Sequence, residues 1–138
     1  MTATIRGLKT FNRELRRVSR RLSQEQAIVF FKKLGLDLLR LVVQRTPVDS
    51  GRARGNWQLT VNVPASGETG KFDTSSNLSG GGSTEDISAL SQLKLGDVIF
   101  LTNNVPYIVR LERGWSKQAP KGMLTVSIRQ LREDVFGS

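Results

Sequence analysis

Three stretches of the 138-residue chain carry residue types that could do chemistry. GETGKF, from Gly67 to Phe72, has the glycines and lysine of a phosphate loop. A Walker loop needs four residues between its glycines and a Ser or Thr after the lysine, to ligand magnesium. Here Gly67 and Gly70 enclose only two residues and Phe72 follows Lys71, so the loop is rejected. Glu112, between Arg110 and Arg113, could be a lone general base. It has no nucleophile or second carboxylate beside it, and a structural ion pair is the commoner role for such a residue. The third stretch is RTPVDSGRARGNW, Arg45 to Trp57, where an apolar helix pattern stops at Pro47 and a small-residue turn leads through two arginines to a tryptophan. It could grip phosphate, form a catalytic turn or mediate assembly.

Composition narrows these options. The chain has no His and no Cys, which excludes disulfides, thiolate metal sites and a cysteine nucleophile, and removes the commonest general base. Carboxylates do not recur at metal-binding spacing, and aromatic residues do not interleave with Lys or Arg as in single-strand stacking platforms. No catalytic residue, metal, cofactor or small-molecule substrate is expected, and the sequence argues against an enzyme. The net charge of +9 and a pI near 10.9 call for nucleic acid, an acidic protein surface or an anionic membrane as surroundings. The longest apolar run, Leu34–Val43, is broken by Asp37 and Arg40 and is far shorter than the roughly 20 residues of a membrane span. The first residues lack an apolar signal core, so a cytoplasmic protein without membrane contact is expected.

The elements that must position these stretches follow from periodicity. Leu8, Phe11, Leu15, Val18 and Leu22 form one stripe of a helix predicted over Ile5–Leu22. Arg13, Arg16, Arg17, Arg20 and Arg21 fall on the opposite face, which is either simply solvated or a contact for phosphate or an acidic neighbour. SQEQ at Ser23–Gln26 reads as a capping box opening a core helix from Gln24 to Arg45. Its inner face is Ala27, Ile28, Phe31, Leu34, Leu38, Leu41 and Val42, widened by Phe30, Leu36, Leu39 and Val43, so it packs on more than one side. Pro47 ends it by pushing Thr46 out of the helical region.

WQLTVNV, Trp57–Val63, alternates as a half-buried strand. A second strand is predicted at Asp97–Thr102. Short helices are predicted within Ser83–Leu93, anchored by Ile87, Leu90 and Leu93, and over Pro106–Arg113, with Pro106 in the first position and Gly114 as C-terminal cap. A last helix over Lys121–Val135 carries the stripe Leu124, Ile128, Leu131 and Val135. Between the strands, Pro64–Asp86 is rich in Gly, Ser and Thr, with Phe72 and Leu78 its only sizeable apolar residues. Burial there cannot offset an ordering cost of about 1–2 kcal/mol per residue. It is predicted to be a flexible arm, a long hairpin continuing the Trp57–Val63 strand, held by other chains through Phe72 and Leu78. The whole is predicted to be one α+β domain over 1–138: an amphipathic N-terminal helix, a long core helix, a small antiparallel sheet with the hairpin-like excursion, and a C-terminal helix.

Two stretches taken together resemble the tail-completion, or neck, proteins of long-tailed bacteriophages. The first holds Thr46, Pro47, Val48, Asp49, Ser50, Gly51, Arg54 and Trp57, with Arg52 in the same turn. The second holds Asn104, Pro106, Tyr107, Glu112, Gly114, Lys117, Ala119 and Pro120, with Trp115 between. The matching pattern covers about residues 25 to 130; the Arg-rich first helix and the Gly/Ser excursion lie outside it. The resemblance implies an α+β virion subunit without catalysis. It would be assembled in the host cytoplasm into a six-membered ring at the head-proximal end of a tail. The implied partners are other copies, tail-terminator or tail-tube proteins and head connector or adaptor proteins, with possible non-specific contact to DNA in a central passage. Glu112 is expected to pair with Arg52 or Arg54 across the two loops. Trp115 either meets a neighbouring subunit or folds back on the core. The rival reading is a basic DNA- or RNA-binding regulatory domain.

Overall fold

The computed structural model describes residues 8–73 and 84–137. Leu78 and the first seven residues therefore lie outside the described residues. The elements are α1 (Leu8–Ser19), α2 (Gln24–Arg45), α3 (Arg52–Gly55), β1 (Trp57–Val61), α4 (Thr84–Leu90), β2 (Ile99–Asn103), α5 (Ile108–Glu112) and α6 (Leu124–Phe136). The fold is α+β: helices around a small antiparallel pair, β1 with β2, in register from Trp57 opposite Asn103 to Val61 opposite Ile99.

α2 is the spine, and its ends are chemically set. Ser23 Oγ accepts from Gln26 N at 3.2 Å and Gln26 Oε1 from Ser23 N at 3.0 Å, the reciprocal capping box. At the other end Thr46 is extended before Pro47 (φ −77, ψ 129), so the helix stops at Arg45. Two apolar clusters pack against this helix. Leu39 and Val42 join Trp57, Leu59, Leu90, Val105, Ile108, Met123 and Leu124 in the larger. Phe31 and Leu34 border the smaller, where Phe11 and Leu15 of α1 meet Ile128 and Leu131 of α6. The predicted two-sided packing is thus present, with Leu39, assigned to the margin of the face, among its most buried residues.

Several boundaries differ from expectation for local reasons. β1 ends at Val61, not Val63, because Asn62 adopts φ 68. Asn tolerates that left-handed geometry when its side chain bonds locally, and here Asn62 Oδ1 accepts from Val98 N at 2.9 Å. β2 starts two residues late, since Asp97 Oδ2 accepts from Lys94 N and holds the preceding chain in a turn. Of the anchors expected for α4, Leu90 at its end and Leu93 beyond it are buried, but Ile87 is exposed. Pro106 lies before α5 rather than at its first position, which Ile108 takes. Gly114 closes α5 as expected, at φ 89, with Gly114 N bonded to Leu111 O and Trp115 N to Arg110 O. That paired arrangement is the Schellman motif.

The extended hairpin is not formed over the described part of the arm, residues 64–73. This segment folds back onto its own subunit through polar contacts. Asn104 Nδ2 donates to Ala65 O and Gly67 O, Asn56 Oδ1 accepts from Thr69 N at 2.7 Å, and Asp73 N donates to Gly51 O at 2.9 Å. Hydrogen bonding supplies what apolar burial could not. Phe72, the proposed anchor, is 63% exposed.

Candidate assembly site

The turn after α2 is built around Thr46 and Trp57. Buried Thr46 donates its hydroxyl to Val42 O and accepts from Trp57 Nε1 at 2.7 Å, so the start of β1 is tied to the end of α2. Between them Ser50 Oγ accepts from Arg52 N, Gly51 takes φ 85, and one helical turn, α3, follows. The sequence reading treated this as a turn only. Gly51 and Gly55 are required by close approach. A Cβ at Gly51 would lie 2.6 Å from the carbonyl carbon of Asp73, and one at Gly55 would lie 2.5 Å from Lys71 O. The arm's backbone rests on both. Pro47 is buried in this turn, whereas Asp49 stands exposed.

The two arginines of the turn have opposite environments. Arg54 is only 5% exposed, and its Nε donates to Val43 O at 3.0 Å. A cation there also suits the negative end of the α2 dipole. Arg52 reaches outward to Glu68 in a bidentate pair, Nε to Oε1 at 2.7 Å and Nη2 to Oε2 at 2.6 Å. Its guanidinium also lies 5.7 Å from the centre of the Tyr107 ring. The hydrogen bond to Arg52 lowers the Glu68 pKa, and the same bond raises that of Arg52.

Glu112 does not pair with either arginine. Its Oε1 accepts from Met123 N at 3.0 Å and Leu124 N at 2.8 Å, and its Oε2 from Thr125 N at 3.1 Å and Thr125 Oγ1 at 2.9 Å. A carboxylate on four donors at a helix N-terminus is a charge-assisted cap. This one fixes where α6 begins, three residues later than the pattern suggested, because residues 121–123 belong to the capping approach. The loop between returns tightly: Gly114, Pro120 and Gly122 pack backbone on backbone, with Gly114 against Pro120 O and Gly122 (φ 85) against Glu112 O. Ala119 is buried in it, and Lys117 and Pro120 are exposed. Trp115 is 70% exposed, its ring 5.2 Å from the Arg110 guanidinium. It does not fold back on the core.

The two stretches converge in space. Val48 N donates to Gln118 Oε1 at 3.0 Å, and Gln118 Nε2 donates back to Val48 O at 3.4 Å. Asn103 Nδ2 donates to Ala53 O at 2.8 Å, and Arg52 sits over Tyr107. Asn56, Glu68, Thr69, Asn103 and Gln118 are the joints that the sequence reading missed. Asn56 is 1% exposed, with Nδ2 on Arg52 O and Oδ1 on Thr69. A buried Asn that bonds main chain thirteen residues away leaves no periodic signal.

Elsewhere, Arg13, Arg16 and Arg17 on α1, and Arg20 and Arg21 in the turn that follows it, are all exposed. A groove of about 670 Å³ runs between α1, α2, α6 and β2, with Phe11, Phe31, Leu34, Leu101 and Ile128 among its walls. The bond from Asn62 N to Val98 O sets the ladder's phase, so Ile99 and Leu101 turn their main-chain N–H and C=O groups away from β1. Among the described residues those groups have no main-chain partner, and they form a strand edge along the groove. Among the described residues no helix is long and apolar enough to cross a membrane. Comparisons with protein families, with curated proteins and with solved structures find no match to this chain.

Proposed function

We propose that the chain is a structural subunit of a long-tailed phage or prophage-derived particle. It completes the head-proximal end of the tail and joins it to the head connector, acting by binding and without catalysis. The observation that supports this reading is the convergence of the two resembling stretches. Val48–Gln118, Ala53–Asn103 and Arg52–Tyr107 make them one surface unit, so their order and spacing have a common structural reason.

Two features favour assembly with further copies; the ring of six and the tail-terminator, tail-tube and connector partners are what the resemblance implies. Trp115 and Phe72 are exposed large apolar side chains on or beside this unit, a composition suited to interface anchors. The free edge of β2 beside an apolar groove is a surface that association with the next copy would cover. Head-to-tail contacts of that kind form a ring where the rotation between copies closes. The test is deletion of the gene from a producing phage or prophage, with complementation in trans. Separate filled heads and finished tails are expected, restored to joined particles by the wild-type gene. Joined, infectious particles without the protein would refute the proposal.

A further inference from the structure

We infer that the outer face of α1 is a docking surface for the phosphate backbone of duplex DNA. At about 100° per residue, Arg13, Arg16 and Arg17 share one arc of α1. The helix ends at Ser19, short of the expected Leu22, and Arg20 and Arg21 follow in the turn. There Arg20 N still donates to Arg16 O, so that Arg13 to Arg20 extend over about 10 Å. All five are exposed, and none makes a side-chain hydrogen bond or ion pair among the described residues. The only carboxylate on α1, Glu14, is turned aside to Arg132 of α6, with Nη2–Oε1 at 2.8 Å and Nε–Oε2 at 3.2 Å. The basic row is therefore not neutralised from within its helix.

The packing beneath selects the kind of polyanion. A basic amphipathic helix binds a membrane by inserting its apolar face. Here that face is committed to the core: Phe11 is 3% and Leu15 7% exposed, against Ile128 and Leu131, and Phe11 stacks edge-on with Phe136 at 6.4 Å. A protein interface places apolar or aromatic anchors at its centre and depletes charge there. None of these five positions supplies one. What remains is a rigidly mounted row of guanidiniums, each able to grip phosphate oxygens in bidentate fashion. Duplex DNA offers about one charge per 1.7 Å of axis, so a row of about 10 Å faces several phosphates at once. The inference does not depend on ring formation, and it can hold or fail with the assembly proposal either way.

Anisotropy of a labelled mixed-sequence duplex, titrated with the full chain over a salt series, tests it. Four or five phosphate contacts predict a slope of log K against log salt of about −4. The double variant Arg16→Glu/Arg20→Glu should bind at least about tenfold more weakly, with a slope flatter by about 2. Arg113→Glu/Lys121→Glu changes net charge equally at exposed positions remote from α1 in sequence, and should keep the wild-type slope. Arg13→Gln/Arg17→Gln, a milder change, should also flatten the slope and guards against a misfolded reversal variant. Equal losses in the Arg16/Arg20 and Arg113/Lys121 pairs would overturn the inference as a bulk charge effect. So would wild-type binding to poly-glutamate or to phosphatidylserine vesicles as tight as to the duplex.

Discussion

Trp57 Nε1 donates to Thr46 Oγ1 at 2.7 Å, and both side chains are buried. The hydroxyl in turn donates a hydrogen bond to Val42 O, so one bond chain fastens the last turn of α2 to the first residue of β1. Thr46→Val keeps the shape and removes the acceptor, leaving the indole N–H buried without it. A loss of about 1–3 kcal/mol is expected, read from denaturant midpoints at unchanged m value. Thr46→Ser should recover most of it. Equal stability of wild type and Thr46→Val would show that the bond contributes nothing.

Glu112 is a helix cap, and its variants should behave accordingly. Glu112→Gln keeps the size but exchanges one oxygen for a donor and removes the charge facing the α6 N-terminus. It should cost about 1–2 kcal/mol, with α6 amides exchanging faster. An assembly defect with fully wild-type stability would contradict this role and revive a direct interface function for the residue.

Signals confined to a few neighbouring residues made part of the fold legible in advance. Ser23, Gln26 and Pro47 mark both ends of α2 because capping and proline sterics act over one turn. The stripes of α1 and α6 likewise report burial. Glu112 was misassigned because its partners lie eleven to thirteen residues on, in a helix start that has no side-chain cap of its own. Arg54 looked like a surface charge, since nothing nearby in sequence shows that Val43 O awaits it. The order of residues 64–73 is not legible from apolar content, because it rests on the polar seats provided by Asn56, Asn104 and Gly51.

The Arg52–Glu68 pair makes the hold on this segment pH-dependent. Glu68 has its folded-state pKa lowered from 4.5, so its contribution is fully present above pH 4.5 and is lost as pH falls through the lowered value. Arg52 is shifted upward by the same hydrogen bond and stays charged throughout. Amide exchange across residues 65–73, corrected for intrinsic rates, should rise on acidification below 4.5. Asp97 is lowered in the same direction, chiefly by its bond from Asn62, so wild type must be compared with Glu68→Gln, in which the pair's share disappears. Identical pH profiles in both would remove the pair from the account.

Gly55→Ala should dislodge the segment without altering α3. The new methyl would meet Lys71 O at 2.5 Å and the carbonyl carbon at 2.7 Å, while the backbone of Gly55 itself is helical. Backbone displaced by such overpacking costs about 1–3 kcal/mol. Exchange at the Asp73 amide, bonded to Gly51 O, should therefore quicken roughly tenfold or more. Unchanged protection there would mean the arm is held elsewhere.

The central claim is that copies of this chain close a ring at the junction of tail and head. Cryo-electron microscopy of tailed particles carrying a tagged copy of the chain locates it and counts it in one measurement. The account predicts tag density at the head-proximal end of the tail, repeated six times around the axis. Tag absent from the particle, or the chain present only as a two-fold dimer, would contradict it.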